Sequence, residues 1–182
     1  MISRPASFVV VACILSVAPL SNVKAKDIQD GVARAQVVQS ISVQAINDLR
    51  FGRITVSEWE GGAVIIAPLP GAARYTGGVR GECRSVAACS VSPARFDVRG
   101  EPLRRYTIAI DAEVEAIGER TGNILRVERL RTDKSSADLV PLTSALDEFG
   151  KDFLTIGGTL IVPAGTASDV FRAELPITLA YE

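Results

Sequence analysis

Asp111, Glu113 and Glu115 stand at alternate positions, with Glu119 beyond them. Alternate side chains of an extended chain share a face, so the three acids would line one side of a strand. Such a row can hold calcium through its oxygens, and a pair of its acids can serve as acid and base on a glycosidic bond. Calcium loops need an Asp-rich spacing and a glycine at their sharp turn, and neither is present. No aromatic-lined sugar subsite accompanies the acids, so a solvated strand end is the simpler expectation. Trp59, the single tryptophan, lies between Glu58 and Glu60 at an expected turn. An exposed indole there could stack on a sugar ring. The alternative is an indole that caps the end of a core. Arg95, Arg99, Arg104 and Arg105 suggest a basic patch. They alternate with apolar residues, which makes them the outer face of two strands.

The chain contains no histidine. Ser-His-Asp triads, Cys-His nucleophiles and His-ligated metals are therefore excluded. Cys83 and Cys89 have neither a redox-motif spacing nor a histidine to complete a zinc site. In an exported chain they are expected to form one disulfide across a short loop, contributing about 2 kcal/mol. No cofactor is implied. The formal charge is −1. Losing Arg4 and Lys24 with a cleaved leader makes the remainder still more acidic. Such a domain is a poor binder of phosphate backbones, and nucleic acid is not an expected partner.

Residues 1–25 read as a secretory signal peptide. Arg4 gives a positive start, residues 6–20 are largely apolar, and Val23-Lys24-Ala25 presents small residues to a peptidase. Val10-Val11-Ala12-Cys13 also resembles a lipoprotein box, though the apolar run continues past Cys13. No second long apolar segment follows, so no transmembrane span is expected in the mature chain. Residues 26–34 are a polar leader and residues 35–182 a single domain.

The remaining 157 residues alternate with period 2 rather than 3.6. Odd positions 35–45 are mostly apolar and suggest a half-buried first strand. Residues 48–56 form a second, with Phe51 as an anchor and Gly52 at a bulge. Gly61-Gly62 supplies positive φ in the turn before Ala63. Further strands are expected at 63–67, 93–98, 105–111, 124–130 and 153–162, the last kinked at Gly157-Gly158. Residues 135–150 are the one stretch where one or two helical turns could form. The last stretch, 169–182, alternates most regularly. Phe171, Leu175, Ile177, Leu179 and Tyr181 share one face and form the expected interaction strand, with Pro176 at an edge or bulge. The expected fold is all-β: an antiparallel immunoglobulin-like β-sandwich of about eight or nine strands with at most one short helix.

Val37-Val38-Gln39 followed by residues 48–54 (DLRFGRI) resembles the opening of bacterial domain-of-unknown-function family 4402. Residues 94–100 (ARFDVRG) with Tyr106-Thr107-Ile108 resemble its middle. Residues 157–164 (GGTLIVPA) and the alternating strand ending in Tyr181 resemble its close. The resemblance implies an exported β-sandwich laid out like fimbrial subunits and other surface proteins. Ala173 and Glu182 depart from the family's usual glycine and asparagine, and the charged stretch 111–120 and the 83–89 loop look like additions. A penultimate tyrosine on an alternating last strand also resembles chaperone–usher pilins, although Asp169 replaces their upstream glycine. The expected role is a non-enzymatic structural or interaction protein of the bacterial envelope or surface, fimbria-like in its sharpest version. It would sit in the periplasm, at the cell surface or outside the cell, pairing with other envelope or surface proteins or with itself. The alternative is a monomeric carbohydrate- or ligand-binding module that uses Trp59.

Overall fold

The computed structural model describes residues 34–69, 71–82, 90–134 and 142–182. The signal segment, most of the leader and the expected Cys83–Cys89 disulfide lie outside these residues. The described strands are β1 (Ser42–Asn47), β2 (Ile54–Val56), β3 (Gly62–Ile66), β4 (Arg74–Gly77), β5 (Val79–Gly81), β6 (Ala94–Arg99) and β7 (Arg105–Ile110). They continue as β8 (Glu113–Gly118), β9 (Ile124–Thr132), β10 (Leu142–Ala145), β11 (Lys151–Val162), β12 (Phe171–Arg172) and β13 (Ile177–Tyr181). Every described pairing is antiparallel. The fold is the expected all-β antiparallel sandwich, with thirteen strands among the described residues rather than eight or nine.

Strand β11 organises the large sheet. Its inward even positions are Asp152, Leu154, Ile156, Gly158, Leu160 and Val162. Along one edge, Lys151–Ile156 pairs with β6 and Gly158–Val162 pairs with β3. The other edge pairs with β9. The full order is β1-β6-β11-β9-β8-β12, with β3 and β4 beside the far half of β11. A smaller sheet, β10-β7-β13, supplies the second layer, and β2-β5 forms a separate ribbon. Tyr106, Leu154, Ile156, Val64, Val79 and Val98 are the largest fully buried side chains. At about 25 cal/mol per Å² of apolar surface, each such side chain contributes roughly 1.5–3 kcal/mol of burial.

Where β9 meets Gly157–Thr159 the register shifts. Arg129 adopts a φ of 53° there. This is a bulge: Val127 and Leu130, three residues apart, both point inward, and charged Glu128 and Arg129 are absorbed without entering the core. The expected irregularity at Gly157-Gly158 is thus real, although its extra residue belongs to the opposite strand.

Several expectations need correction. Residues 142–145 are a strand rather than a helix, and Asp147 closes a tight turn by accepting from the Phe149 and Lys151 amides. Among the described residues there is no helix; residues 135–141 lie outside them. The local capping signal lost to sheet pairing with β7. The first strand starts at Ser42 rather than residue 35, and it is exposed rather than half-buried. It pairs only with β6 and lies at the sheet edge, so its inward residues lack an opposing layer. Residues 48–53 form a bridge rather than a continuous strand, through Arg50 and Ser92, while Gly52 does adopt a φ of 77°. Positive φ near the second turn belongs to Gly77, not to Gly61-Gly62. Those two are glycine because backbone passes too close: a Cβ on Gly62 would lie 2.0 Å from the Thr76 carbonyl oxygen. Finally, the charged stretch 111–120 contains β8, whose Val114 and Ala116 face inward between Glu113, Glu115 and Ile117.

Candidate functional site

The last stretch, expected as one strand, is two. Phe171–Arg172 pairs with β8 in the large sheet, and Ile177–Tyr181 pairs with β7 in the small one. Residues 173–176 lie in no ladder. Pro176 has no N–H to offer, so the chain changes sheet where a ladder bond would be missing anyway. Phe171, Leu175, Ile177, Leu179 and Tyr181 are all half-buried and pack on the core. The predicted inward row is therefore present, but it is shared between two layers.

This crossing divides the sandwich into two halves. In one half the small sheet covers the Asp152–Ile156 part of β11, and a polar network joins the layers. The Asp152 carboxylate accepts from Tyr106 Oη (2.8 Å), Ser144 Oγ (2.6 Å), Lys134 Nζ (2.8 Å) and its neighbour's amide at Phe153 (2.7 Å). Burial pushes the Asp152 carboxyl upward, but Lys134, Ser144 and Tyr106 together outweigh it and hold the group below its ordinary range. The Tyr106 phenol moves the opposite way, raised by burial and by the Asp152 carboxylate it faces. Asp152 sits at an inward parity next to Leu154 and Ile156. An acid in an apolar row needs partners, and that parity is the sequence signal by which it could have been found.

Tyr181 closes the same end. Its hydroxyl accepts from the Glu101 amide at 2.6 Å and donates to the Gln39 carbonyl at 2.9 Å. The Gln39 amide donates in turn to Glu101 Oε2 at 2.9 Å. The Arg104 guanidinium lies 4.7 Å from the Tyr181 ring centre. Gly100 leaves room for the phenol, since a Cβ there would stand 2.1 Å from its oxygen. The penultimate tyrosine therefore fastens the start of the domain to its end.

The other half is covered by loop segments rather than by the small sheet, and its floor side chains are buried. A groove of about 1750 Å³ runs over Ala94, Phe96, Leu125, Val127, Leu160 and Val162 on the inner face of the large sheet. Residues 48–56 form one wall and residues 166–173 with Leu175 the other. The second wall is anchored by Asp169. Its carboxylate accepts from Thr121 Oγ1 (2.6 Å) and from the amides of Thr121 (2.7 Å), Val170 (2.8 Å) and Arg120 (3.2 Å). The Thr121 hydroxyl, partly opposed by desolvation and reinforced by those amides, holds the Asp169 carboxyl down at about 2. Asp169 is thus the clamp of the groove's lip.

The other sequence candidates fall outside the groove. Trp59 is 90 % exposed on the β2–β3 turn, which removes the core-capping alternative and leaves an accessible indole. Glu115 pairs across the ladder with Arg126, and Glu119 forms an ion pair with Arg172. Among the described residues no three acidic or sulfur side chains gather around a common point. Each arginine of the apparent basic patch has its own local partner. Arg95 lies 4.4 Å from the Phe153 ring centre, Arg99 meets Asp97 at 2.7 Å and Arg105 meets Glu182 at 3.0 Å, while Arg104 stacks on Tyr181.

The architecture is that of an antiparallel β-sandwich, one half covered by the small sheet and the other by the segments 48–56 and 166–175. Residues 41–181 match the family described as a domain of unknown function (DUF4402), and the chain belongs to that family. No curated protein and no solved structure matches it. Among the described residues, no helix is long and apolar enough to cross a membrane.

Proposed function

We propose that this chain is an exported, non-enzymatic structural or interaction protein of the bacterial envelope or surface, with a fimbria-like role. The observation that carries this reading is the groove, where one half of the sandwich is covered by segments 48–56 and 166–175 rather than by the small sheet. Buried-type side chains facing a groove favour an extended apolar partner, and the ladder-free backbone of residues 173–176 beside it offers main-chain pairing. The signal-like residues 1–25 support export. The test is a photo-crosslinking residue at Val170, a groove-lining position 56 % exposed, in cells that express the chain. Discrete adducts in the sheared surface or envelope fraction are expected. A chain that stays soluble in the periplasm without adducts would contradict the reading.

A second reading rests on Trp59. An indole 90 % exposed on a tight turn is a ready sugar platform. Glycan-array binding lost in Trp59→Ala would support a carbohydrate-binding module, and an array without hits would remove it.

A further inference from the structure

Strand β1 ends the large sheet, and among the described residues it pairs with β6 alone. Its outer edge presents backbone N–H and C=O groups to solvent, the template on which another strand can add. Edge strands are ordinarily guarded by shortness, charge or proline. Here β12 has two residues, β4 has four and begins with Arg74, β10 has four, and β13 follows Pro176. Of the described edge strands β1 is the longest. Its six residues read SVQAIN, with no charge and no proline, and Ile41 before them extends the uncharged run.

The two faces of this strand differ. Val43 and Ala45 stand opposite Val98 and Phe96, which pack in the core, while Ser42 and Gln44 stand opposite Arg99 and Asp97. Directly opposed residues share a face. Ile41, Val43 and Ala45 therefore form an apolar row on the core side, and Ser42 and Gln44 a polar row on the other. Val43 is nevertheless 40 % exposed.

A strand laid antiparallel on its own copy, about a two-fold axis normal to the sheet, keeps like faces together. Centred on Val43, such a pair sets Val43 against Val43, Ile41 against Ala45 and Ser42 against Gln44. Apolar meets apolar, polar meets polar, and no charge opposes a like charge. The register slips after Ala45, which sets where regular pairing stops. An unrelated peptide would also find backbone donors on this edge. The match of residues 41–45 to their own reversed order is used only by a second copy.

We propose that this edge is a homodimer interface: residues 41–45 of two copies pair across a two-fold axis at Val43, joining their large sheets into one. The contact is isologous and closes at two copies. Five residues a side is small against the roughly 20–30 of a standard interface, so a reversible dimer of micromolar or weaker affinity is expected. Of these residues only Ala45 also lines the groove, and the proposal does not depend on what the groove binds.

Sedimentation velocity of the purified chain over a concentration series, joined to native mass spectrometry, tests this. A monomer–dimer equilibrium that stops at two copies is expected. Val43→Asp and Val43→Lys each set like charges face to face on the axis, and each alone should weaken the dimer about tenfold or more. Mixed in equal amounts, the two variants should recover it as a mixed dimer, recognised by its mass. Val43→Cys, an uncharged change, should link the two copies on oxidation. Val43 is exposed in the single copy, so circular dichroism and melting should match the parent. Val170→Lys, on the groove's lip, should dimerise like the parent. A chain monomeric at every concentration up to about 1 mM, assembly beyond two copies, a dimer indifferent to both charges or lost with Val170→Lys, or a mixture that stays monomeric would each overturn the inference. Crosslinks from Val170 bear on the groove alone: their absence removes the envelope reading and leaves the dimer standing.

Discussion

The two halves of this sandwich share one strand and differ in what faces it. Along Asp152–Ile156, β11 meets the small sheet, and every inward group has a partner. Along Gly158–Val162, the same alternation faces a groove bounded by wall segments that are mostly outside ladders. The difference is not one of hydrophobicity, since Leu154 and Leu160 have the same parity and the same side chain. It lies in topology: the small sheet has three short strands, and its edge strand enters only after the Pro176 crossing. An acid sits under the small sheet, where four donors hold it, and the groove's floor is apolar.

The sharpest way to break this contrast is to make the same deletion on both sides. Leu154→Ala should cost about 3–5 kcal/mol, because a closed, well-packed site leaves a cavity. Leu160→Ala should cost less, about 2–3 kcal/mol, because its cover comes from segments largely outside ladders, which can relax around the deletion. Equal losses in urea melts would show that the groove is as tightly filled as the core.

Asp152→Asn tests the network that joins the layers. A loss of about 1–3 kcal/mol is expected, because Lys134 loses its charge partner and one donor faces an amide. The pH dependence has a definite sign. The folded carboxyl lies below its ordinary 3.8, so its stabilisation is complete above that value and is lost as pH falls through the folded value. The variant should show a flatter acid limb in stability against pH. The Tyr106 phenol lies above its ordinary 10.0, so its contribution is present below that value and declines as pH rises beyond it. Tyr106→Phe should remove that alkaline decline. Tyr181→Phe frees Gln39 and should cost about 1–2 kcal/mol, with faster amide exchange at Gln39 and Glu101. The smallest effect should be Trp59→Ala, within about 0.5 kcal/mol in thermal melts, since the exposed indole packs on little.

Much of the fold was legible because sheet burial writes a period of 2 into the chain. The positions of β7 and β11, the inward row of the last stretch, the proline that interrupts it and the bulge near Gly157 could all be read. What failed had physical causes. The 142–145 strand is four residues long, and its identity depends on pairing with β7, which is not local information. Strand β8 was hidden because its outer face is acidic and its inner face offers only Val114 and Ala116. The exposure of β1 depends on the absence of a second layer opposite it, which no window of sequence records. The site was less legible than the fold. The last stretch's inward residues were identified, but the groove is assembled from residues 45 to 175 across seven strands and the loops between them. The Asp152 network and the Asp169 clamp join residues far apart in the chain, with Tyr106 and Asp152 46 positions apart.

The central claim is that the two halves of the sandwich differ in how firmly their cover is held. Amide hydrogen exchange on the purified chain tests this most directly. The account predicts that residues 48–53 and 173–176, which lie largely outside ladders, exchange rapidly, while β7, β13 and Asp152–Ile156 are protected. Groove walls as protected as β7 would contradict it.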